Sequence, residues 1–379
     1  MKKPIYFDHQ ATTPMDPRVL EAMVPYFTTH FGNSSSRNHF FGWEAQEAVE
    51  ESKEHVAALI DAHPSEIIFT SGATEAVNLA IKGVLSANGA PAHIITCKTE
   101  HMAVLDTCAG LEKQGTEVTY LDVDQYGTID IQELEAAIRP HTAIIVLMYA
   151  NNETGTLQPI SEVGTLARKH GIPFLCDATQ AVGKLPLSVQ AHAIDLLCFS
   201  GHKMYGPKGI GVLYKSSSTQ ALEPQITGGG QQAGLRSGTL NVPGIVGLAR
   251  ACTLSAELMP QESAYLKMIR DRFESQLTAL GGVRINGHPY HRLPHCSNLT
   301  IDGVQGEEFA LSLGSKLAFS QSAACHAVTS QPSHVLLAMG MAPEDVLRSF
   351  RFGFGRFNKE EEINLATDML IAAIKKFRA

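Results

Sequence analysis

Disulfide, zinc, membrane and nucleic-acid signals are all missing from this sequence. Its seven cysteines (97, 108, 176, 198, 252, 296 and 325) are odd in number and never spaced Cys-x-x-Cys. That argues against a disulfide framework and against a zinc site, so no metal is expected. Long basic runs are missing and the net charge is −8, which makes direct nucleic-acid binding an unexpected role. No apolar run reaches the length of a membrane span, and the first residues, Met1 to Asp8, contain no apolar leader stretch. Internal repeats and low-complexity tracts are absent too, which excludes a solenoid. What remains is the expectation of a soluble protein of the cytoplasm with no membrane partner.

What is present is apolar material in short, regular pieces. With 379 residues and 44% hydrophobic content, the chain can bury a large core and predicts a large domain with a smaller companion. From Glu66 onward, short apolar runs at 67–69, 94–96, 117–121, 143–148, 173–176 and 195–199 alternate with helix-length stretches. Strands separated by helical crossovers predict an α/β fold with a mostly parallel sheet covered on both faces. Helical spacing also runs over 17–24 and 45–60, with a polar loop at 31–37 between them. A long helical pattern at 243–280 predicts a bridge between domains, with the boundary near Met259 and Pro260. The expected division is 16–259 as the large domain, and 1–15 with 260–379 as the small one. Within the latter, 298–301 and 350–353 read as strands, and 306–313, 330–339 and 360–377 as helices.

In such sheets ligands bind beyond the carboxyl ends of the strands. Here those ends carry Thr74, His101, Asn152, Asp177 and Lys203. Lys203 follows a buried strand among small residues, in Ser200-Gly201-His202-Lys203. Desolvation there would lower its pKa and make the amine nucleophilic, as a Schiff-base lysine requires. Pyridoxal phosphate needs such a lysine, an acid at the ring nitrogen, a partner for the phenolic oxygen and a helix N-terminus for its phosphate. Asp177 and Gln180 suit the second and third needs. The turn Ser71-Gly72-Ala73-Thr74-Glu75 suits the fourth, with Ser200 and His202 completing the cup. His101 suits stacking on the ring and proton transfer. Each has a plainer reading alone: Asp177 as a helix cap, His101 as a solvated histidine, Lys203 as a surface lysine.

Taken together, these motifs resemble those of the NifS/IscS-type cysteine desulfurases, fold-type-I pyridoxal phosphate enzymes of the class-V aminotransferase family. The likeness runs nearly end to end, through Asp8-His9-Gln10-Ala11-Thr12-Thr13-Pro14, Lys98-Thr99-Glu100-His101, Asn151-Asn152-Glu153, Arg236-Ser237-Gly238-Thr239 and Arg351-Phe352-Gly353. It implies Lys203 as the Schiff-base lysine, Asp177 on the ring nitrogen and Gln180 on the phenolic oxygen. It implies Ala73, Thr74, Ser200 and His202 around the phosphate, joined by Thr239 from the other subunit of a homodimer. It further implies Asn33, Asn152 and Arg351 as binders of L-cysteine, the arginine fork pairing the carboxylate.

The same resemblance makes Cys325 the nucleophile that receives sulfur as a persulfide and passes it to an acceptor protein. The family commonly reads Ser-Gly-Ser-Ala-Cys-Thr-Ser at this loop, whereas Ser322 here replaces the glycine, Ala323 a serine, and His326 follows the cysteine. Lacking apolar periodicity, residues 320–330 are expected to be mobile. The chain stops at Ala379, where close relatives often continue into a partner-docking tail. Iron–sulfur assembly, tRNA thiolation and DNA phosphorothioation are therefore equally compatible outlets. Competing readings are a selenocysteine lyase, another fold-type-I enzyme, or a silent sulfur-transfer scaffold.

Overall fold

Seven short apolar strands assemble into one sheet. Their order across it is Ile67–Thr70, Gly211–Lys215, Leu196–Ser200, Phe174–Asp177, Thr142–Met148, His93–Cys97 and Glu117–Leu121. Gly211–Lys215 runs antiparallel to both neighbours, and all other pairs are parallel. Central strands read as unbroken apolar runs because helices cover both faces. In Thr142–Met148 every residue after the first is buried. The computed structural model describes residues 3–88, 92–219, 222–321, 323–326 and 329–379, and leaves the side chains of 88, 323–326 and 329–331 undescribed.

The covering helices follow from spacing and caps. Phe40–Ile60 buries Ala45, Ala48, Val49, Ser52, Val56, Ala57 and Ile60 at intervals of three and four, one face of a helix. Ile160–His170 turns Ile160, Val163, Leu166 and Ala167 inward. Its last turn holds Arg168, Lys169 and His170, and Gly171 follows at φ 67°, a basic end closed by a left-handed glycine.

A second, antiparallel sheet has the order Ser320–Gln321, Ser349–Gly353, Cys296–Ile301 and Val283–Asn286. Phe7, Phe273, Phe350, Phe352 and Phe354 are fully buried beneath it in one apolar cluster. Phe7 lies 4.9 Å from Phe354 and Phe273 5.1 Å from Phe352, between ring centroids. Each such ring contributes about 1.5–3 kcal/mol by leaving water. The N-terminal strand Ile5–Tyr6 pairs in parallel with Leu317–Ala318, which brings the chain's start to this cluster.

The helix Val242–Thr278 joins the two cores. Ile245, Leu248 and Cys252 pack into the large sheet's core, and Leu266, Ile269, Phe273 and Leu277 into the other. Pro260 lies inside this helix, although proline removes an intrahelical hydrogen bond. Packing on both sides of it outweighs that loss. Among the described residues this is the one helix long and apolar enough to cross a membrane, and 56% of the relevant window is buried within the fold.

Two expectations are corrected. Residues 330–339 are not one helix: Thr329–Pro332 is a strand, and the helix is His334–Ala338. Pro332 cannot donate to a helix, and Ser333 caps the new start by accepting from Leu336 N at 3.2 Å. The irregular loop expected at 320–330 instead contains an edge strand, Ser320–Gln321, and a hairpin of Ala323–His326 against Thr329–Pro332. Cys325 pairs with Ser330 in that hairpin. Its side chain, and the mobility expected of the segment, lie outside the described residues.

Candidate active site

One cavity of about 440 Å³ opens at the carboxyl ends of the parallel strands. It is lined by Ala73, Thr74, His101, Asn152, Asp177, Gln180, Ser200, His202 and Lys203, all residues expected from the sequence. Arg351 adjoins the wall, its Nη1 donating to Asn152 O at 3.1 Å. Asn33 and Thr239 do not line the cavity within this single chain. Asn33 is engaged locally, accepting from Ser35 N at 2.9 Å.

Lys203 ends the short turn Gly201–Lys203 that follows the strand Leu196–Ser200. Its Nζ donates to the carbonyls of Gln10 at 2.6 Å and Ala11 at 2.9 Å. Burial, aided by the nearby Arg351 charge, lowers its pKa to about 8 against the opposing pull of Asp177 and Asp8. The turn is braced from below. Thr13 donates to His202 O at 2.9 Å through its hydroxyl and accepts from Tyr205 N at 2.8 Å. Tyr205 adopts φ 64°, a costly conformation for a bulky residue. The Arg356 guanidinium lies 4.2 Å from its ring centroid and is paired with buried Asp16 at 2.8 Å.

Asp177 ends its strand, buried, with Oδ1 accepting from Thr179 N at 3.0 Å. The segment after it is a run of turns rather than a full helix, so Asp177 caps those turns through Oδ1 while also lining the cavity. Thr179 also lines the cavity, and its buried hydroxyl has no partner among the described residues. His202 is lowered to about 4 by burial and by the charges of Lys203, Lys208 and Lys184. His101 caps the helix Met102–Glu112 by accepting from Ala103 N at 3.0 Å. Burial lowers its pKa, Lys203 and His334 adding to this and Asp177 opposing it.

The N-terminus of Ala73–Asn88 also opens on the cavity, through Ala73 and Thr74. First-turn amides of a helix have no intrahelical acceptor and favour an anion. Gly211 permits this turn to sit against the sheet, since a Cβ there would lie 2.6 Å from Gly72 Cα. Glu75, which also lines the cavity, pairs with Arg236 at 2.7 Å. That pair also ties the stretch bearing Thr239 to the site. Lysine, floor carboxylate, unpartnered hydroxyl and helix N-terminus in one cavity fit pyridoxal phosphate.

Several participants were not legible in the sequence. Glu100 is fully buried, accepts from Met148 N at 2.7 Å through Oε1, and leaves Oε2 without a partner among the described residues. Burial, then the Asp177 charge, raises its pKa well above the usual carboxylate range. Both roots of the cysteine hairpin are pinned near the cavity wall. Ser320 donates to Asp8 Oδ1 at 2.8 Å, Ser333 to Glu153 Oε2 at 2.5 Å, and His334 Nε2 lies 2.9 Å from Glu100 O. The six described cysteines are buried and free. Burial raises Cys97 to about 12 and Cys296 to about 11, which suits inert thiols.

Comparison with known proteins accords with this geometry. Residues 5–365 match the family Aminotransferase class-V. The chain is 48% identical over 382 residues to cysteine desulfurase IscS of Colwellia psychrerythraea, covering 100% of this chain and 94% of that protein. Among solved structures, a NifS-like protein superposes with a TM-score of 0.92 at 35% identity, covering 98% of this chain and 100% of the other. A structure titled SspA in complex with cysteine gives a TM-score of 0.83 at 39% identity, over 93% and 99% of the two chains. With a lysine-centred cofactor cavity and this likeness along its whole length, the chain belongs to the class-V aminotransferases and, among them, to the pyridoxal phosphate-dependent cysteine desulfurases of the NifS/IscS type.

Proposed function

We propose that this enzyme takes sulfur from L-cysteine with the residues of the cavity just described, and that Cys325 receives it. One observation carries the assignment of Cys325. The hairpin bearing it is rooted on both sides in residues next to the cavity lining. Ser320 bonds Asp8 and Arg351, the latter bonded to Asn152 O, and Ser333 and His334 bond Glu153 and Glu100, the chain neighbours of Asn152 and His101. Ala73, Thr74, Ser200 and His202 would hold the phosphate, with Asp177 serving the ring nitrogen and Gln180 the phenolic oxygen. Bound pyridoxal phosphate supplies an electron-withdrawing ring that stabilises negative charge at the substrate Cα.

Arg351 and Asn152 orient the substrate, the guanidinium taking its carboxylate. Lys203 would hold the cofactor, and its amine would move the substrate's α-proton. His101 shuttles protons at the substrate. The Cys325 thiolate attacks the substrate sulfur, so an S–S bond forms as the C–S bond breaks. The electron pair of that bond remains with the carbon, which is protonated in the product. The balance is L-cysteine plus enzyme thiol giving L-alanine plus enzyme persulfide.

The sulfur then passes to a protein acceptor serving iron–sulfur assembly or nucleic-acid thio-modification. A homodimer of the cytoplasm completes the reading. Free buried thiols accord with a reducing compartment, and the exposed aromatics Phe27, Phe31, Phe40, Phe41 and Trp43 with a covered face. Asn33 and Thr239, outside the lining of this chain's own cavity, belong in that reading to the shared site. The two main apolar clusters broadly support division into 16–259 and 1–15 with 260–379, Leu293 and Cys296 of the latter packing into the larger cluster.

Brief exposure of the holoenzyme to cysteine, followed by peptide mass spectrometry, tests the nucleophile. One added sulfur of roughly 32 Da should appear on the peptide holding Cys325. The Cys325→Ser variant should bind cofactor and cysteine but release almost no alanine. Sulfur on the Cys97 or Cys296 peptide, or full activity of Cys325→Ser, would overturn the assignment.

A further inference from the structure

Lys184 does nothing in the scheme above, yet it is tied to the cofactor cavity from behind. Its Nζ donates to Gln180 Oε1 at 3.3 Å. Gln180 in turn donates from Nε2 to Gln10 O at 3.1 Å, the same carbonyl that accepts from Lys203 at 2.6 Å. Gln180 lines the large cavity and Lys184 does not. Lys184 instead lines a separate cavity of about 20 Å³, room for one water-sized group. The ionisable groups sharing that small cavity are His9, Tyr205, Glu262 and His295.

Among the described residues Lys184 has no carboxylate partner in an ion pair. Burial lowers its pKa to about 7, the Lys203 charge pushing the same way and Cys296 opposing. Keeping an unpaired cation in such a place is costly, and its contact with Gln180 offers a reason. The two ends of an amide have nearly the same shape, so only partners decide which end faces a cavity. An ammonium donates and cannot accept. While Lys184 keeps its proton, below about pH 7, the glutamine beside it must present its oxygen, and the Gln10 carbonyl, which can only accept from Nε2, favours the same orientation.

We propose that Lys184 is a positioning residue, holding the Gln180 oxygen on the side away from the large cavity so that an amide N–H faces the cofactor's phenolic oxygen. The inference rests on the proposed reading that Gln180 meets that oxygen. Its consequence is electronic. A donor at the phenolic oxygen draws off electron density and disfavours protonation of the neighbouring nitrogen that links the cofactor to Lys203.

The test is the pH titration of the visible absorbance of the pyridoxal phosphate holoenzyme, without substrate, in Lys184→Met, Gln180→Leu and the double variant. Lys184→Met should raise the midpoint by about 0.5–1 pH unit, the worth of about one hydrogen bond. Gln180→Leu should raise it at least as much. The double variant should match Gln180→Leu, because the lysine acts through the glutamine. A silent Lys184→Met beside a shifting Gln180→Leu would overturn this inference alone. So would full additivity, since a bare charge effect of Lys184 survives without the glutamine. A silent Gln180→Leu would overturn the Gln180 reading and this inference with it. Should Lys184→Met not fold, Lys184→Gln keeps the polar fill but can turn either amide end to Gln180. It should shift the midpoint the same way, and an unmoved midpoint would count against the proposal.

Discussion

Arg351 Nη2 donates to Asp8 Oδ1 at 2.8 Å across 343 residues of chain. Ser320 Oγ donates to the same carboxylate oxygen at 2.8 Å and accepts from Arg351 at 3.0 Å. The guanidinium is thus fixed on one edge while its buried Nε has no partner among the described residues. Nη1 is engaged as well, donating to Asn152 O at 3.1 Å, so partners at both terminal nitrogens fix the guanidinium's orientation beside the cavity.

Arg351→Lys should therefore lower kcat/KM for L-cysteine by about 10- to 100-fold, the range expected for a charge-assisted hydrogen bond. The loss should lie chiefly in KM, because a lysine keeps the charge and loses the planar fork. Steady-state alanine release against cysteine concentration measures it. An unchanged KM would remove Arg351 from substrate binding.

Cofactor capture should follow the free-base fraction of Lys203. Its pKa is depressed to about 8, so attachment of pyridoxal phosphate to the apoprotein should accelerate as pH rises through about 8. An ordinary lysine would show that rise near 10.4. Asp8→Asn should move the midpoint lower, because the Asp8 charge supports the protonated amine. Stopped-flow absorbance after mixing provides the rates, and a midpoint above pH 10 would exclude Lys203 as a depressed lysine.

Glu100→Gln should stabilise the apoprotein increasingly as pH rises. Burial raises the folded pKa of Glu100 above its ordinary 4.5. Between the unfolded and folded values the native state holds a proton that the unfolded chain has lost. Stability then falls with rising pH across that window. The glutamine lacks this penalty, so its Tm advantage should be larger at pH 8 than at pH 5. Equal differences at the two pH values in thermal unfolding would show that Glu100 folds as a carboxylate.

Mixing Lys203→Ala chains with Thr239→Ala chains should restore activity above that of either alone. In a mixed dimer one site would combine native Lys203 with native Thr239 from the other chain. Subunit exchange followed by an alanine assay measures this. No gain from a verified mixed dimer would take Thr239 out of the partner's site, and a fully active monomer would end the dimer reading.

The sequence by itself determined the alternating strands and helices, the sheet type, and the cavity's lining by Ala73, Thr74, His101, Asn152, Asp177, Gln180, Ser200, His202 and Lys203. These were legible because each sits at a strand end or helix start, where local pattern and backbone geometry decide position. Only the tertiary structure decided what those residues meet. Gln10 accepts from Lys203 with a backbone carbonyl, which side-chain identity cannot reveal. The Glu100 carboxyl is raised above its ordinary range because surrounding elements remove it from water, and Lys184 meets the Gln180 amide within the buried turns after Asp177. Pro260 stays helical because two cores grip one helix. The cysteine segment forms a hairpin whose roots close on Asp8, Glu153 and Glu100. Burial and partners from distant chain segments set charge, orientation and anchoring, and these are properties of the packed whole.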